Sequence, residues 1–185
     1  IPVVGITGSN GKTVVKEWLY QLLSPEKNVT RSPRSYNSQI GVPLSVWNLD
    51  ERSEVGLFEA GISEPGEMEA LQSVIQPTIG VFTCLGDAHQ ENFTSYEQKC
   101  LEKLKLFKDA KVLVYDMDDA RVVGCVNRSA FKGEYFAWSR QRRDVPLYIA
   151  SVEKREAETV VSYIYKGKEA ACSIPFIDEA SLANS

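Results

Sequence analysis

Gly8-Ser9-Asn10-Gly11-Lys12-Thr13 is the stretch of this chain whose residue types and order carry chemistry. It lies between a short apolar, β-branched run, Pro2 to Thr7, and a stretch from Lys12 on which Val15, Trp18, Leu19 and Leu22 recur at helical spacing. That order reads as strand, glycine turn, helix. The first backbone N–H groups of a helix have no partner within it and the helix dipole adds positive charge, so the turn favours an anion. Glycines let the backbone approach phosphates closely. Lys12 would set a positive charge on the terminal phosphates and the Thr13 hydroxyl could ligate Mg²⁺. The six residues Gly8 to Thr13 are therefore the candidate nucleotide-binding loop. The longer spacing of kinases and GTPases needs a glycine where Ile6 stands, and no base-reading Asn/Lys/Asp loop for GTP is found. An ordinary glycine-containing strand-to-helix turn is the alternative.

The elements that position such a loop are legible downstream. Val55 to Phe58 reads as a strand, Gly66 to Ile75 as a helix, Ile79 to Thr83 as a strand and Ser95 to Phe107 as a longer helix, with Lys111 to Tyr115 closing the alternation. Strands alternating with helices imply right-handed crossovers, and ligands bind at the carboxyl ends of the strands. Pro146 to Val152, Thr159 to Tyr165 and Glu169 to Ile174 are strand-like, with a tight turn at Lys166-Gly167-Lys168. The fold expected is α/β, a P-loop-type, mostly parallel sheet flanked by helices with an antiparallel extension near the C-terminus.

On the functional edge of that sheet sit further candidates. Glu59 follows Val55 to Phe58, and the only histidine, His89, lies in the Gly86-Asp87-Ala88-His89 loop after Ile79 to Thr83. A solvated loop acid and a structural imidazole are the plain alternatives for these two. Tyr96, Cys100, Lys103 and Phe107 share one stripe at helical spacing, which draws Lys103 toward the core unless its amine snorkels to solvent. Asn37 precedes Ile40-Gly41-Val42-Pro43, where an amide could equally cap a helix.

With 185 residues, 43% hydrophobic and 25% charged, the chain suits one globular domain, and a net charge of -4 with scattered basic residues excludes a nucleic-acid or membrane-surface footprint. No run is long enough to span a membrane and the start lacks a signal-peptide pattern, so a soluble, cytoplasmic, monomeric domain is expected. Cys84, Cys100, Cys125 and Cys172 are widely spaced, which favours reduced, mostly buried thiols. A helix starting near Asp178 stops at Ser185 before it gains length, so the chain is expected to be part of something longer.

GITGSNGKT, YNSQIGVPL, FEAGISEPGE, TCLGDAHQENF and VYDMDD follow one another in the order and loop positions of the Mur ligases, and the chain resembles the central, ATP-binding domain of that family over nearly its whole length. It is most similar to the branch that adds D-alanyl-D-alanine to UDP-N-acetylmuramoyl tripeptide, and to the ligase half of ligase–racemase fusions of Bacteroidetes. The resemblance implies ATP as nucleotide and two Mg²⁺ ions. It implies Thr13, Glu59, His89 and Lys103 around the metals, Lys103 as a lysine carbamylated by CO₂, and Asn37 near the terminal phosphate. Lys12, Lys103 and His89 would be the residues on which catalysis depends. Asp116 stands where the family usually has an asparagine near the adenine, and a carboxylate cannot donate the same hydrogen bond. The N-terminal UDP-sugar domain and the C-terminal domain would be supplied outside these 185 residues. A folylpolyglutamate synthase-like ligase and a non-catalytic nucleotide-binding module are the other readings, and the joint presence of Glu59, His89 and Lys103 favours the enzyme.

Overall fold

A computed structural model describes residues 1–185. In chain order the elements are β1 Val3–Thr7, α1 Lys12–Leu23, β2 Val29–Arg31, α2 Gly41–Val46, β3 Val55–Glu59, α3 Glu67–Ile75, β4 Ile79–Phe82, α4 Tyr96–Leu104, β5 Val112–Asp116, α5 Ala120–Arg128, β6 Glu134–Ser139, β7 Leu147–Lys154, β8 Thr159–Tyr165, β9 Lys168–Ile174 and α6 Glu179–Asn184. All nine strands form one sheet in the order β2-β3-β1-β4-β5-β6-β7-β8-β9. Pairings from β2 through β7 are parallel, while β7-β8 and β8-β9 are antiparallel. The α/β reading with its antiparallel extension is what the chain adopts.

The neighbouring strands β1 and β3 are buried along most of their length, as expected of apolar runs covered on both faces. Neighbouring residues of β3 show the two layers, because successive side chains point to opposite faces. Leu57 packs with Val15 and Leu19 of α1, whereas Phe58 belongs to the main core with Met68 and Leu71 of α3 and Val122 of α5. This two-sided cover holds the carboxyl ends of β1, β3 and β4 side by side, which is where the chemistry-bearing loops emerge.

Four elements depart from the sequence expectation. The alternation does not close at Tyr115: α5 and β6 add another parallel crossover, with β6 pairing β5 from Val112↔Glu134 to Asp116↔Trp138. The signal for α5 was present, since Asp119 caps its start by accepting from the Arg121 N–H at 2.9 Å and Val122, Cys125 and Val126 lie on its buried side. The short β2 and α2 were likewise unannounced. The helix expected from Ser95 to Phe107 is α4, capped by the Ser95 hydroxyl at the Gln98 N–H, followed by a 3-10 turn over Lys105–Phe107. That tightening brings Leu106 and Phe107, both fully buried, into the core.

The β8-β9 turn has φ of 50° at Lys166 and 74° at Gly167, the left-handed pair that a two-residue hairpin requires. All cysteines are free thiols. Cys100 and Cys125 are buried, and burial pushes the Cys100 thiol well above its ordinary value, so it is inert. Cys172 is exposed on the outermost strand, against the expectation of mostly buried thiols. No helix is long and apolar enough to cross a membrane.

Gly133, just before β6, is where the backbone passes closest to another segment: a Cβ there would lie 2.4 Å from the Lys111 carbonyl oxygen and 2.7 Å from that of Ala110. Backbone cannot rotate away as a side chain can. Gly133→Ala is expected to lower unfolding free energy by about 3 kcal/mol, the upper range for overpacking, as read from urea denaturation. An unchanged midpoint would show that the β5-β6 junction yields freely.

Candidate active site

The loop from Gly8 to Thr13 leaves β1, which lies between β3 and β4. Gly8 has φ 150° and a Cβ there would fall 2.0 Å from Thr83 Oγ1, so only glycine fits against the neighbouring strand end. Gly11, at φ 83°, caps α1 without a side chain, so the helix's first N–H groups have no capping oxygen and point at whatever occupies the loop. A Cβ on Gly11 would also strike Asn184 Oδ1 of α6 at 2.0 Å. Lys12 Nζ folds back onto the carbonyls of Gly8 at 2.9 Å and Ser9 at 3.2 Å. Burial lowers its pKa, opposed by the negative charge of Glu59. The arrangement fits a phosphate: free donors, a cradle that tolerates no Cβ, and one lysine at its rim.

Thr13 and Glu59 meet across the α1–β3 interface. The Thr13 hydroxyl donates to Glu59 Oε2 at 2.8 Å, which leaves its oxygen lone pairs for a cation. Glu59 is the last residue of β3 rather than a loop residue after it, and its carboxylate is fully buried, so the solvated-acid alternative fails. Its other oxygen is engaged by Lys16 Nζ at 3.1 Å, a lysine that the sequence reading passed over. Hard oxygen donors of this kind suit Mg²⁺, which keeps several waters and takes phosphate oxygens for the rest of its shell. The protein residues alone form no cluster of three or more His, Cys, Asp or Glu able to hold a metal.

The loop after β4 is clamped to the phosphate loop. Ser9 N–H donates to the Cys84 carbonyl at 2.8 Å, the Ser9 hydroxyl donates to the Gly86 carbonyl at 3.1 Å, and the Gly86 N–H donates to the same hydroxyl at 2.8 Å. His89, exposed and left-handed at φ 56°, ends this loop. Lys103 is 3% exposed, with Nζ 3.3 Å from the Gly8 carbonyl, so the snorkelling alternative also fails. Burial first, then the charges of Lys12 and Lys99, bring its pKa down from 10.5 to about 8. The helical stripe singled out only Lys103, yet Lys99 is fully buried as well, with Nζ on the Gly86 carbonyl at 2.5 Å and the Ala88 carbonyl at 3.2 Å. No periodicity could reveal a side chain drawn in by loop carbonyls.

Lys12, Asn37, His89 and Lys103 line one cavity of about 270 Å³ at this sheet edge. Asn37 caps no helix: Ser38 Oγ accepts from the first N–H of α2, while the Asn37 carbonyl accepts from Gly61 N–H at 2.8 Å and its amide sits against Gly61. Asp116 is not in that cavity. It ends β5, two strands from the phosphate loop, and accepts from the Asp118 N–H at 2.8 Å. Burial raises its pKa.

The sequence profile of the Mur ligase middle domain matches residues 6–185. This chain belongs to the Mur ligase family. It is 28% identical over 99% of its length to the UDP-N-acetylmuramoyl-tripeptide--D-alanyl-D-alanine ligase of Bacillus subtilis, covering 39% of that protein. The ligase of the same name from Borreliella burgdorferi is 36% identical over 63% of this chain, which spans 25% of that relative. The chain thus spans less than half the length of these curated relatives. Among solved structures, MurF ligase from Thermotoga maritima in complex with ADP superposes with a TM-score of 0.85 at 26% identity, covering 99% of this chain and 43% of that one. A variant of FPGS from L. casei shares the fold at a TM-score of 0.70 and 12% identity, over 99% of this chain and 55% of that one. Mur ligase membership therefore rests on the chain's own sequence, and the MurF structures resemble it more closely than the FPGS structure does.

Proposed function

We propose that this chain is the ATP-binding central domain of a ligase that adds D-alanyl-D-alanine to UDP-N-acetylmuramoyl tripeptide, building a peptidoglycan precursor in the cytoplasm. The observation that carries the reading is the convergence of Lys12, Asn37, His89 and Lys103 on one cavity beside the Thr13–Glu59 pair. In this reading the tripeptide carboxylate attacks the γ-phosphate of ATP, giving an acyl phosphate and ADP, and the dipeptide amine then displaces phosphate. No protein nucleophile is required, so the domain works by positioning and charge. The N–H groups at the start of α1 hold phosphate oxygens, and Lys12 swings from its loop carbonyls onto the transferring group. Thr13 and Glu59 would hold one Mg²⁺, with His89 and a CO₂-carbamylated Lys103 beside a second. Bound Mg²⁺ supplies neutralisation of phosphate charge. A neutral amine is the form that reacts with CO₂, and the depressed pKa of Lys103 supplies it near neutral pH. Asp116 would lie toward the base.

In this reading the sugar-nucleotide and dipeptide would be bound by further domains of a longer protein, and these 185 residues alone are expected to bind nucleotide and ligate little. Phosphate release by the full-length protein, given ATP, Mg²⁺ and UDP-N-acetylmuramoyl tripeptide, is expected to depend on added D-alanyl-D-alanine. Release that ignores the dipeptide but responds to a folate with glutamate would replace this reading with the folylpolyglutamate synthase-like one. Nucleotide binding with neither release would leave a non-catalytic module.

A further inference from the structure

We propose that Lys16 is a positioning residue for the Mg²⁺-nucleotide site, fixing the Glu59 carboxylate and, through it, the Thr13 hydroxyl, while tying the loop that carries Asn37 to the phosphate-binding helix. The inference rests on the functional reading above.

Lys16 stands one turn behind the phosphate loop, three residues after Thr13 and four after Lys12, on the same side of α1. Its side chain is fully buried. A lysine is rarely enclosed in this way, because losing hydration of the ammonium is costly unless every proton finds an acceptor. Here each of the three does. Nζ donates to the Ser32 carbonyl at 2.8 Å, to the Arg34 carbonyl and to Glu59 Oε1 at 3.1 Å. Glu17 Oε1 lies 3.2 Å away and is itself held by Arg31, whose guanidinium stacks over Tyr20.

These three acceptors come from two separate segments, the end of β3 and the loop after β2, and bind both to α1. With Oε1 committed to Lys16, only Oε2 faces Thr13, so the threonine proton is turned toward the carboxylate and its lone pairs face the other way. The same ammonium pins Ser32 and Arg34, and the Ser32 hydroxyl accepts from the Glu59 N–H at 3.3 Å. This loop runs directly on to Asn37, Gln39 and Ile40, which line the cavity. One buried cation therefore sets a metal-facing hydroxyl and the base of a substrate-facing loop.

The test is ADP affinity of the protein measured by calorimetry with Mg²⁺ and again with a chelator, the ratio giving the gain due to the metal. Lys16→Arg keeps the charge but cannot direct its donors to the same three oxygens from one point. It is expected to lose about tenfold or more of the metal gain, the scale for an outer partner of a metal ligand, with chelator-state affinity unchanged. Lys16→Met in a Glu59→Gln background, which buries no unpaired charge, is expected to add no further loss, because both changes break one chain of contacts. A charge-only role predicts a full metal gain in Lys16→Arg, and a merely structural role predicts loss in chelator and an additive loss with Glu59→Gln. Either result overturns the proposal. A parent protein whose ADP affinity ignores Mg²⁺ would instead refute the functional reading on which this rests.

Discussion

Lys12→Ala is expected to reduce ATP-dependent phosphate release by about 1000-fold, the scale for removing one preorganised group that meets developing charge. The side chain contributes little to holding the fold. Its ammonium caps two carbonyls of its own loop, Gly8 and Ser9; without it the Gly8 carbonyl keeps Lys103 Nζ at 3.3 Å, and Ser9 lines the open cavity. The thermal midpoint should therefore stay close to that of the parent while turnover collapses. Steady-state kinetics beside a melting curve separate the two. A loss below about tenfold would mean that the helix N-terminus and the metal carry the phosphate charge without the lysine.

Lys103→Met carries the opposite balance and is expected to raise stability while abolishing ligation. A lysine whose pKa falls from 10.5 unfolded to about 8 folded costs stability wherever it must be protonated. The unfolded chain takes up its proton first as pH falls. Stability contributed at this position is therefore highest above 10.5, declines through the interval down to about 8, and stays low below it. The full penalty at neutral pH is on the order of 3 kcal/mol. Methionine keeps the apolar stem and sheds the charge, so in CO₂-depleted buffer at pH 7 the midpoint should rise by several degrees and the slope of stability between pH 8 and 10.5 should flatten. Ligation should fall by more than about 100-fold, since even an outer partner of a metal ligand is worth nearly that much. A ¹³C carbamate resonance, present in the parent with labelled bicarbonate and missing in the variant, ties the loss to the modified amine. Retained ligation would remove Lys103 from the mechanism.

What could be read before the fold was known follows from which signals are local. The phosphate loop was legible because glycine, lysine and threonine do their work where they stand, between a strand and a helix that periodicity reveals. Glu59 and His89 could be placed at the right edge because residues at or just after the ends of parallel strands share an end of the sheet. The sheet's antiparallel extension announced itself by alternating runs and a glycine turn. What escaped were features made by distant partners. Lys16 and Lys99 look like exposed helical lysines in sequence; they are buried because carbonyls of the Ser32–Arg34 and Gly86–Ala88 loops reach them, 16 or more residues away along the chain for Lys16 and 11 or more for Lys99. The β2 strand is three residues long, too short for any period to emerge. For Asn37 the helix-cap alternative stayed open because the acceptor that takes that place is its neighbour Ser38, a choice that only geometry makes.

The reciprocal hydrogen bonds between Ser9 and Gly86 give the phosphate loop and the His89 loop a common motion. Strands β1 and β4 lie side by side, and their outgoing loops are stitched together before either meets a ligand. A ligand that displaces one loop is therefore expected to carry the other with it. The amide proton of Gly86, sheltered by a hydroxyl 77 residues earlier in the chain, can exchange with solvent only when the two loops part, so its exchange rate is a clock for the opening of the whole site.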